Sequence, residues 1–519
     1  MGVTVPAVKG VVVERHQFVI VGAGPGGLQL GHWLQRAGAD YLVVDRADAP
    51  GAFFERFPRQ RRLISLNKAH VRSDDPERKL RWDWNSLLSD PAGPLFPEYS
   101  DDYYPHADDM VRYLADFQTR QVPQVRFATT VRKVRRDGAG FVVETDDGCV
   151  SAECLVMATG WGKPNVPDIP GIGHAVGYED APADGAAYRG KRVLIIGKGN
   201  SAFEMAHRMM LDQAEMVHLA SPNPLRLSWN TKHPGHVRGQ YGALLDNYQF
   251  KTLHSVLDCT IDRIEAVDGA FRVWITYTHA QGEQEVLDYD MVVRCTGFRM
   301  DTDIFDDSCR PSMAPNGRIP ALREDWRSTD IDGLYFAGTL AQARDFQRAS
   351  SAFIDGFRYN LRTLSRILTE RYLDIPLPHE EVKLDAESLT DAVLDRVNWS
   401  SALWTQFEYL CDALVVSGRK FRRYEDLPED YAITRFGDQE TLYTVSLRWG
   451  RADHPDVFAI ERHPAPERAA ESAFIHPVVR CYRFGRLVAE QHLLEDLLAE
   501  WRRPDRHVEP LQAFFRGRQ

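Results

Sequence analysis

One short pattern near the N-terminus limits what this chain can fold into more than any other feature. The apolar run FVIV at 18–21 predicts a buried parallel strand, and a G-x-G-x-x-G turn and a helical segment ending at Gly38 follow it. This unit binds a dinucleotide, since its glycines let the backbone approach a pyrophosphate and the helix N-terminus presents unpaired N–H groups. The residues predicted to line this turn are Gly22, Gly24, Pro25, Gly26 and Gly27.

A second predicted strand, YLVVD, ends in a carboxylate 23 residues after Gly22. At that position an acidic side chain can accept a hydrogen bond from a ribose hydroxyl. We therefore assign Asp45 to the nucleotide, with Arg46 directly after it.

A second glycine turn follows the apolar strand RVLII at 192–196. Alanine replaces the third glycine here, which still allows close packing of helix on strand. Its residues are Gly197, Gly199, Asn200, Ser201 and Ala202. The next strand, MVHLAS, ends at Ser221 without a carboxylate, so Ser221 and nearby Arg226 could accept a 2′-phosphate. This favours NADPH and leaves NADH as an alternative; Ser221 could equally be a loop residue and Arg226 a solvated charge.

Two such turns in one chain predict a bound FAD and a nicotinamide nucleotide that reduces it, with the redox chemistry supplied by the cofactors. Strands ending in T-G at 154–160 and 291–297 mark where the chain crosses between two domains, and GLYFAG at 333–338 ends near the flavin. Thr159, Gly160 and Gly338 are therefore assigned to the FAD site.

The predicted fold class is α/β, with two nested Rossmann-like domains and a C-terminal α+β segment. The bounds are 1–185 and 289–375 for FAD, 186–288 for NAD(P)H, and 382–519 for the last segment. That segment could cap the active site or form a dimer interface. Within it, DVFAIERH at 456–463 predicts a strand and AEQHLLEDLLAEWRR at 489–503 a closing helix.

Composition narrows the function classes. The formal net charge is −11 and no long basic run occurs, which argues against nucleic acid as a partner. No stretch approaches 18 uninterrupted apolar residues, and the N-terminal segment has neither a signal-peptide nor a myristoylation pattern, so we expect a soluble, cytoplasmic protein.

Seven scattered cysteines without C-x-x-C disfavour a zinc or other metal site. Cys149 and Cys154 flank one strand and point to opposite faces, which disfavours a redox-active pair.

The order of these motifs resembles the flavin-containing monooxygenase superfamily. ISLNKAH at 64–70 is similar to the short strand that carries an asparagine near the flavin, which implies a strand here and a role for Asn67. FATTVRKV at 127–134 resembles the strand that contacts adenine, which implies that Val131 makes this contact. PGAFF at 50–54 resembles the aromatic stretch beside FAD, which implies that Phe53 lies next to the cofactor. Tyr178 stands where the superfamily's fingerprint has a histidine.

Longer strings, among them RWDWNSLLSD and DFQRASSAFIDGFRY, are similar to the endoplasmic-reticulum flavoproteins associated with degradation, a family of FAD-dependent oxidoreductases. That family implies the two-cofactor scaffold. Its members carry signal and retention sequences, which we do not find here, so we do not carry over the role in degradation.

The resemblance implies an NADPH-dependent monooxygenase that passes oxygen from a flavin C4a-hydroperoxide to a nitrogen or sulfur of a small molecule. Its partners would be that substrate and O2, and a homodimer is left open. Asn67 is the candidate catalytic residue, since an amide can both donate and accept at the flavin edge; alternatively it is a turn residue bonded to backbone. Two other functions stay open: an NAD(P)H-dependent reductase or oxidase, and a scaffold whose C-terminal segment recruits a protein.

Overall fold

The computed structural model describes residues 14–71, 73–233, 235–249, 252–346, 348–417, 420–450 and 459–518. The first 13 residues, on which the expectation of no signal peptide depends, lie outside the described residues. In chain order the strands are β1 Glu14–Val21, β2 Tyr41–Val44, β3 Val125–Arg126, β4 Val131–Asp137, β5 Gly140–Thr145, β6 Gly148–Met157, β7 Lys163–Pro164, β8 Val176–Gly177, β9 Arg192–Ile196, β10 Met216–Ser221, β11 Ser255–Val267, β12 Ala270–Tyr277, β13 Gln284–Tyr289, β14 Met291–Arg294, β15 Phe298–Arg299, β16 Leu334–Phe336, β17 Glu380–Lys383, β18 Leu410–Ser417, β19 Lys420–Pro428, β20 Leu442–Arg448, β21 His476–Arg483 and β22 Arg486–His492.

The helices alternate with these strands in the first two domains and cover the sheets. They are α1 Pro25–Arg36, α2 Ala52–Arg56, α3 Pro76–Lys79, α4 Ala107–Gln121, α5 Asn200–Leu211, α6 Ser228–Thr231, α7 Ala243–Gln249, α8 Ile354–Leu373, α9 Ala386–Trp399, α10 Ser401–Thr405, α11 Glu429–Phe436 and α12 Glu509–Arg516. None of the helices in the described ranges is long and apolar enough to cross a bilayer.

The first sheet has the strand order β3-β2-β1-β6-β5-β4. Strand β1 lies between β2 and β6 and pairs with both in parallel, with Phe18 opposite Tyr41 and Cys154. Strand β16 extends the sheet by pairing with the second half of β6. Strand β2 and the second half of β1 are buried along their whole length, as is usual for the central strands of a parallel sheet.

The second sheet has the order β13-β12-β11-β10-β9-β14-β8. Strand β9 pairs in parallel with β10 and with β14. The predicted bounds 186–288 are too narrow for this domain, because β8 and β14 lie outside them and belong to its sheet. Sequence alone could not assign these short strands, since each is defined by its neighbours in the sheet. The predicted α/β class with two Rossmann-like units is confirmed.

The third sheet belongs to the C-terminal segment and has the order β17-β19-β18-β20-β21-β22. The predicted closing helix at 489–503 is wrong: its first residues lie in β22, where His492 pairs with Val478, and an irregular stretch follows. Pairing with β21 overrides the helical periodicity of this stretch. The predicted strand at 456–463 is also absent from residues 459–463, and its first three residues lie outside the described residues.

The C-terminal domain docks on α8 of the FAD-binding domain. The Gln406 amide nitrogen donates to Ser351 Oγ at 2.9 Å and to Asn360 Oδ1 at 2.7 Å, and its oxygen accepts from the Ser350 N–H at 3.0 Å. Arg81 crosses the boundary in the other direction and donates to carbonyls before α10. The domain therefore supports the start of α8.

Candidate active site

The first glycine turn has an open side and a packed side. A Cβ placed on Gly24 would meet no atom within 4 Å, whereas one on Gly26 would lie 2.7 Å from the Cα of Gly338. One on Gly27 would lie 1.8 Å from the Gly22 carbonyl oxygen. Gly22 itself has φ +111°, which favours glycine. The open side of Gly24, at the N-terminus of α1, fits a pyrophosphate, and Gly338 lies against the same turn.

Asp45 fastens this turn to the end of β2. Its carboxylate accepts from the Ala23 N–H at 2.5 Å and from the Ala47 N–H at 2.8 Å. The Thr129 N–H donates to the Asp45 carbonyl at 2.8 Å, which brings the segment before Val131 beside the predicted ribose position. The geometry fits the adenosine end of FAD.

The remaining residues predicted to bind FAD are placed as follows. The buried Thr159 hydroxyl has no hydrogen-bond partner in the described part of the chain, which fits a group that meets a ligand. Gly160 lies next to Thr339, whose hydroxyl would be 3.6 Å from an added Cβ. Arg46 is exposed, and Phe53 is 56% exposed and packs on Phe57. The structure does not bring Arg46 and Phe53 into the packed part of the site.

The second glycine turn repeats this arrangement. A Cβ on Gly199 would meet nothing within 4 Å, while one on Gly197 would lie 2.3 Å from the Cys295 carbonyl oxygen. Ala202 is fully buried and Ser201 is half-buried. The open residue again stands at the start of a helix, here α5, as a second dinucleotide requires.

Asn200 in this turn holds a neighbouring loop. Its amide nitrogen donates to the carbonyls of Gly235 and His236 at 3.1 and 3.0 Å, and its oxygen accepts from the Arg238 N–H at 3.1 Å. The loop segment 235–238 is therefore held against the start of α5.

An ion pair that the sequence reasoning missed lies at the end of β10. Ser221 pairs in register with Asp258 of β11, and the Asp258 carboxylate binds the ammonium of Lys198 from the second glycine turn. Counting along one strand could not find Asp258, because the neighbouring strand supplies it. Arg226 is exposed, and its guanidinium makes no ion pair within the described ranges.

Tyr178, at the position of the superfamily's histidine, joins the two domains. It is buried, donates to the Glu204 carboxylate at 2.7 Å and accepts from the Arg59 N–H at 3.1 Å. Glu204 also accepts from the Gln60 N–H at 2.8 Å, and its burial raises its pKa. This position serves the contact between the domains.

Asn67 does not lie in a strand, so that part of the prediction is wrong: its backbone follows an irregular path beside residues 100–104. The side chain is 4% exposed and donates to the Ser100 carbonyl at 2.5 Å, and its N–H donates to the Tyr103 carbonyl at 3.0 Å. The contact with the flavin stays a prediction. The next residue, Lys68, lies 3.5 Å from the Trp84 ring centre, and burial lowers its pKa to about 8.

A cavity of about 190 Å³ lies where three parts of the chain meet: the crossing after β6, the segment after Gly338 and the loop held by Asn200. None of the residues that line this cavity was predicted from the sequence to be a site residue. Its lining residues are Trp161, His233, Gly235, His236, Gln342, Asp345, Phe346, Ala349 and Ala352.

All seven cysteines are free, and none lines this cavity. Cys149 and Cys154 both lie on β6, roughly 16 Å apart along an extended strand. Burial of the Cys154 thiol raises its pKa, so it is held as a thiol.

Comparison with known proteins agrees with this geometry. The family model of the pyridine nucleotide-disulphide oxidoreductases matches residues 19–338. FAD-dependent oxidoreductase domain-containing protein 2 of Mus musculus is 34% identical over 96% of this chain and 84% of its own length. The Danio rerio protein of the same name is 32% identical over 96% and 83%. A flavin-containing monooxygenase from Stenotrophomonas maltophilia superposes with a TM-score of 0.53 at 19% identity, over 69% of this chain and 99% of its own, which shows the shared fold.

The paired turns and the matching family model define a flavoprotein oxidoreductase of the pyridine nucleotide-disulphide class. Within that class, the chain belongs to the family of FAD-dependent oxidoreductase domain-containing protein 2. The predicted family resemblance, the enzyme class and the FAD cofactor are confirmed.

Proposed function

We propose that this protein is an FAD-dependent monooxygenase that uses NADPH and oxygenates a nitrogen or sulfur of a small molecule. The observation that carries the proposal is the cavity between the two nucleotide-binding domains, which has aromatic and polar walls and no cysteine. A reductase that passes electrons through its own disulfide needs a pair of cysteines at that point.

When bound, FAD and NADPH supply hydride transfer and activation of dioxygen. The chain's own residues bind and orient them. The open faces of Gly24 and Gly199 would receive the two pyrophosphates, and Asp45 would hold the ribose of the first nucleotide. Trp161 and Phe346 restrict water at the cavity, which favours transfer of oxygen over its loss as peroxide.

NADPH is the proposed reductant because Lys198 neutralises the one carboxylate opposite Ser221. The 2′-phosphate then meets Ser221 and Arg226 without a free negative charge beside it. NADH stays the alternative. The cytoplasmic location and the homodimer also remain predictions.

A second function is favoured by the class of the family model: an NAD(P)H-dependent reductase or oxidase that passes electrons to a small acceptor. Turnover in isotopically labelled dioxygen separates the two. A monooxygenase places one labelled oxygen atom in the product for each NADPH consumed. Label found only in hydrogen peroxide, with an unlabelled product, would support the second function instead.

A further inference from the structure

Two residues that line the cavity each have a buried side-chain atom without a hydrogen-bond partner in the described part of the chain. These atoms are Oδ1 of Asp345, on the wall formed by the FAD-binding domain, and Nε2 of His236, on the loop held by Asn200. Buried polar atoms are almost always paired. Two such atoms, on residues that line one cavity from different domains, therefore point to a ligand of this cavity.

Asp345 is 3% exposed, and only one of its two oxygens is used by the protein: Oδ2 accepts from the Ser351 N–H at 3.1 Å. Burial raises the pKa of its carboxyl to about 7, so that both protonation states are populated near neutral pH. The titratable and charged groups that adjoin or face it are Arg344, Tyr409, His233 and His236. Arg344 is already paired with Asp430, outside the cavity lining.

His236 carries the second unpaired atom, which is an acceptor. The Thr231 hydroxyl donates to the Leu227 carbonyl at 3.1 Å, so its oxygen accepts from Nδ1–H of His236 at 2.5 Å. This leaves Nε2 without a proton. Burial lowers the pKa of both His236 and His233, so neither ring is charged at neutral pH.

The residues that line the cavity thus include two hydrogen-bond acceptors and the rings of Trp161 and Phe346. A group with several N–H donors and an apolar body suits it, and a cation gains further from the tryptophan face. A dry cavity of roughly 150 Å³ accepts one benzene ring, so this slightly larger one has room for a small arylalkyl group.

We propose that this cavity binds a primary amine, and that Asp345 is the catalytic base that takes the proton from its ammonium group while His236 holds a second N–H. The inference rests on the proposed function and narrows its substrate class. In the step, the N–H bond of the ammonium breaks and an O–H bond forms on Oδ1. The charges of both partners vanish, and the nitrogen lone pair becomes free to attack. Burial disfavours the two charged forms alike, which favours this transfer inside the cavity. The carboxyl returns its proton to water when the product leaves.

The test compares two probes of equal size on the FAD-loaded enzyme: benzylamine, and thioanisole, which has no N–H. Calorimetry gives their dissociation constants for wild type, Asp345→Asn and Asp116→Asn, the last being a control in α4, where the carboxylate accepts from the Tyr99 hydroxyl and does not line the cavity. We expect Asp345→Asn to raise the dissociation constant of benzylamine at least about tenfold and to leave that of thioanisole unchanged. Wild-type affinity for benzylamine should rise about tenfold per pH unit and level off near pH 7, where Asp345 becomes ionised. The variant should lose this dependence.

His236→Phe tests the second proposed contact and keeps the proposal testable if Asp345→Asn fails to fold. This variant should also raise the dissociation constant of benzylamine and leave that of thioanisole unchanged. Failure of wild type to bind benzylamine, equal losses in Asp345→Asn and Asp116→Asn, or parallel losses for both probes would overturn the inference. Turnover distinguishes the two proposals. Benzylamine that binds through Asp345 but is never oxygenated speaks against the monooxygenase and leaves the amine site standing.

Discussion

Asp345 and Asn67 are both buried polar residues, and they differ in how many of their side-chain hydrogen bonds the surrounding protein supplies. The amide nitrogen of Asn67 has a backbone partner, so its side chain already supports the fold. Asp345 has one oxygen bonded and one oxygen without a hydrogen-bond partner within the described ranges. A polar atom that the fold leaves unpaired costs stability, and residues that function demands are where such costs occur.

The cost at Asp345 depends on pH. The folded pKa, about 7, lies above the unfolded value, so the stabilising contribution is complete below about pH 4 and is lost as the pH rises towards 7. Relative to Asp345→Asn, the free energy of unfolding of wild type should fall by about 4 kcal/mol over that range, since one pKa unit corresponds to about 1.4 kcal/mol. Denaturant melts of both FAD-loaded proteins measure this difference. A constant difference from pH 4 to 8 would show that the carboxyl is not held neutral by burial.

Asn67→Ala separates the two roles of that residue. Loss of its bond to the Ser100 carbonyl should cost about 1–3 kcal/mol of stability. If the amide also meets the flavin, hydrogen peroxide formed per NADPH should rise about tenfold or more, while FAD content and the rate of flavin reduction stay near wild type. Asn398→Ala is the matched control, because that residue is also 4% exposed and its amide is bonded to protein at both ends: the nitrogen donates to the Leu394 and Trp501 carbonyls and the oxygen accepts from the Trp501 N–H. Equal peroxide yields from both variants would make Asn67 a structural residue.

At the scale of elements, the two strand–turn–helix units share one design. In each, the first glycine packs against a neighbouring strand and the second glycine opens outward at the helix start. Gly24 and Gly199 are both in extended backbone, with φ −74° and −93°, which any residue can adopt. A Cβ placed at either position would meet no protein atom within 4 Å, so we expect side chains there to obstruct the cofactor and not the fold.

Gly24→Val should therefore yield a folded protein almost free of FAD. Gly199→Val, its matched partner, should keep FAD and lose reduction by NADPH. Flavin absorbance and anaerobic reduction measure the two effects, and circular dichroism checks the fold. A Gly24→Val protein with a full complement of FAD would mean that the first turn is misassigned.

The end of β10 tests the choice of nucleotide. Arg226 is exposed, so a contact with the 2′-phosphate is worth on the order of 1 kcal/mol. Arg226→Ala should raise the KM for NADPH about fivefold and leave the KM for NADH unchanged. Steady-state kinetics with both nucleotides measures this difference. Equal effects on both would exclude a role in reading the phosphate.

At the scale of the whole molecule, the C-terminal domain is joined to the active site through Gln406. This residue is fully buried and bonds to Ser350, Ser351 and Asn360 at the start of α8, close to Asp345. The contact places the domain beside the site and gives it a supporting role.

Gln406→Ala should leave the Ser350 N–H and the Asn360 amide oxygen unpaired, at about 1–3 kcal/mol for each group. The melting temperature should fall, and the dissociation constant for FAD should rise because the start of α8 loosens. Gln512→Ala, which removes a surface contact with Arg516, is the control. A less stable variant with unchanged FAD affinity would show that docking and cofactor binding are independent.

The sequence by itself determined both dinucleotide-binding units, their nesting and the family. These depend on contiguous patterns, such as the apolar run before Gly22, whose physical meaning is local. The sequence did not predict a role for four residues, because each of them acts through a partner far along the chain: Asp345, His236, Lys198 and Asp258. The helix expected at 489–503 failed for the same reason, since pairing with β21 decided its conformation. Local periodicity sets which faces are apolar, but burial and pairing arise only when distant segments meet, and the site lies where they do.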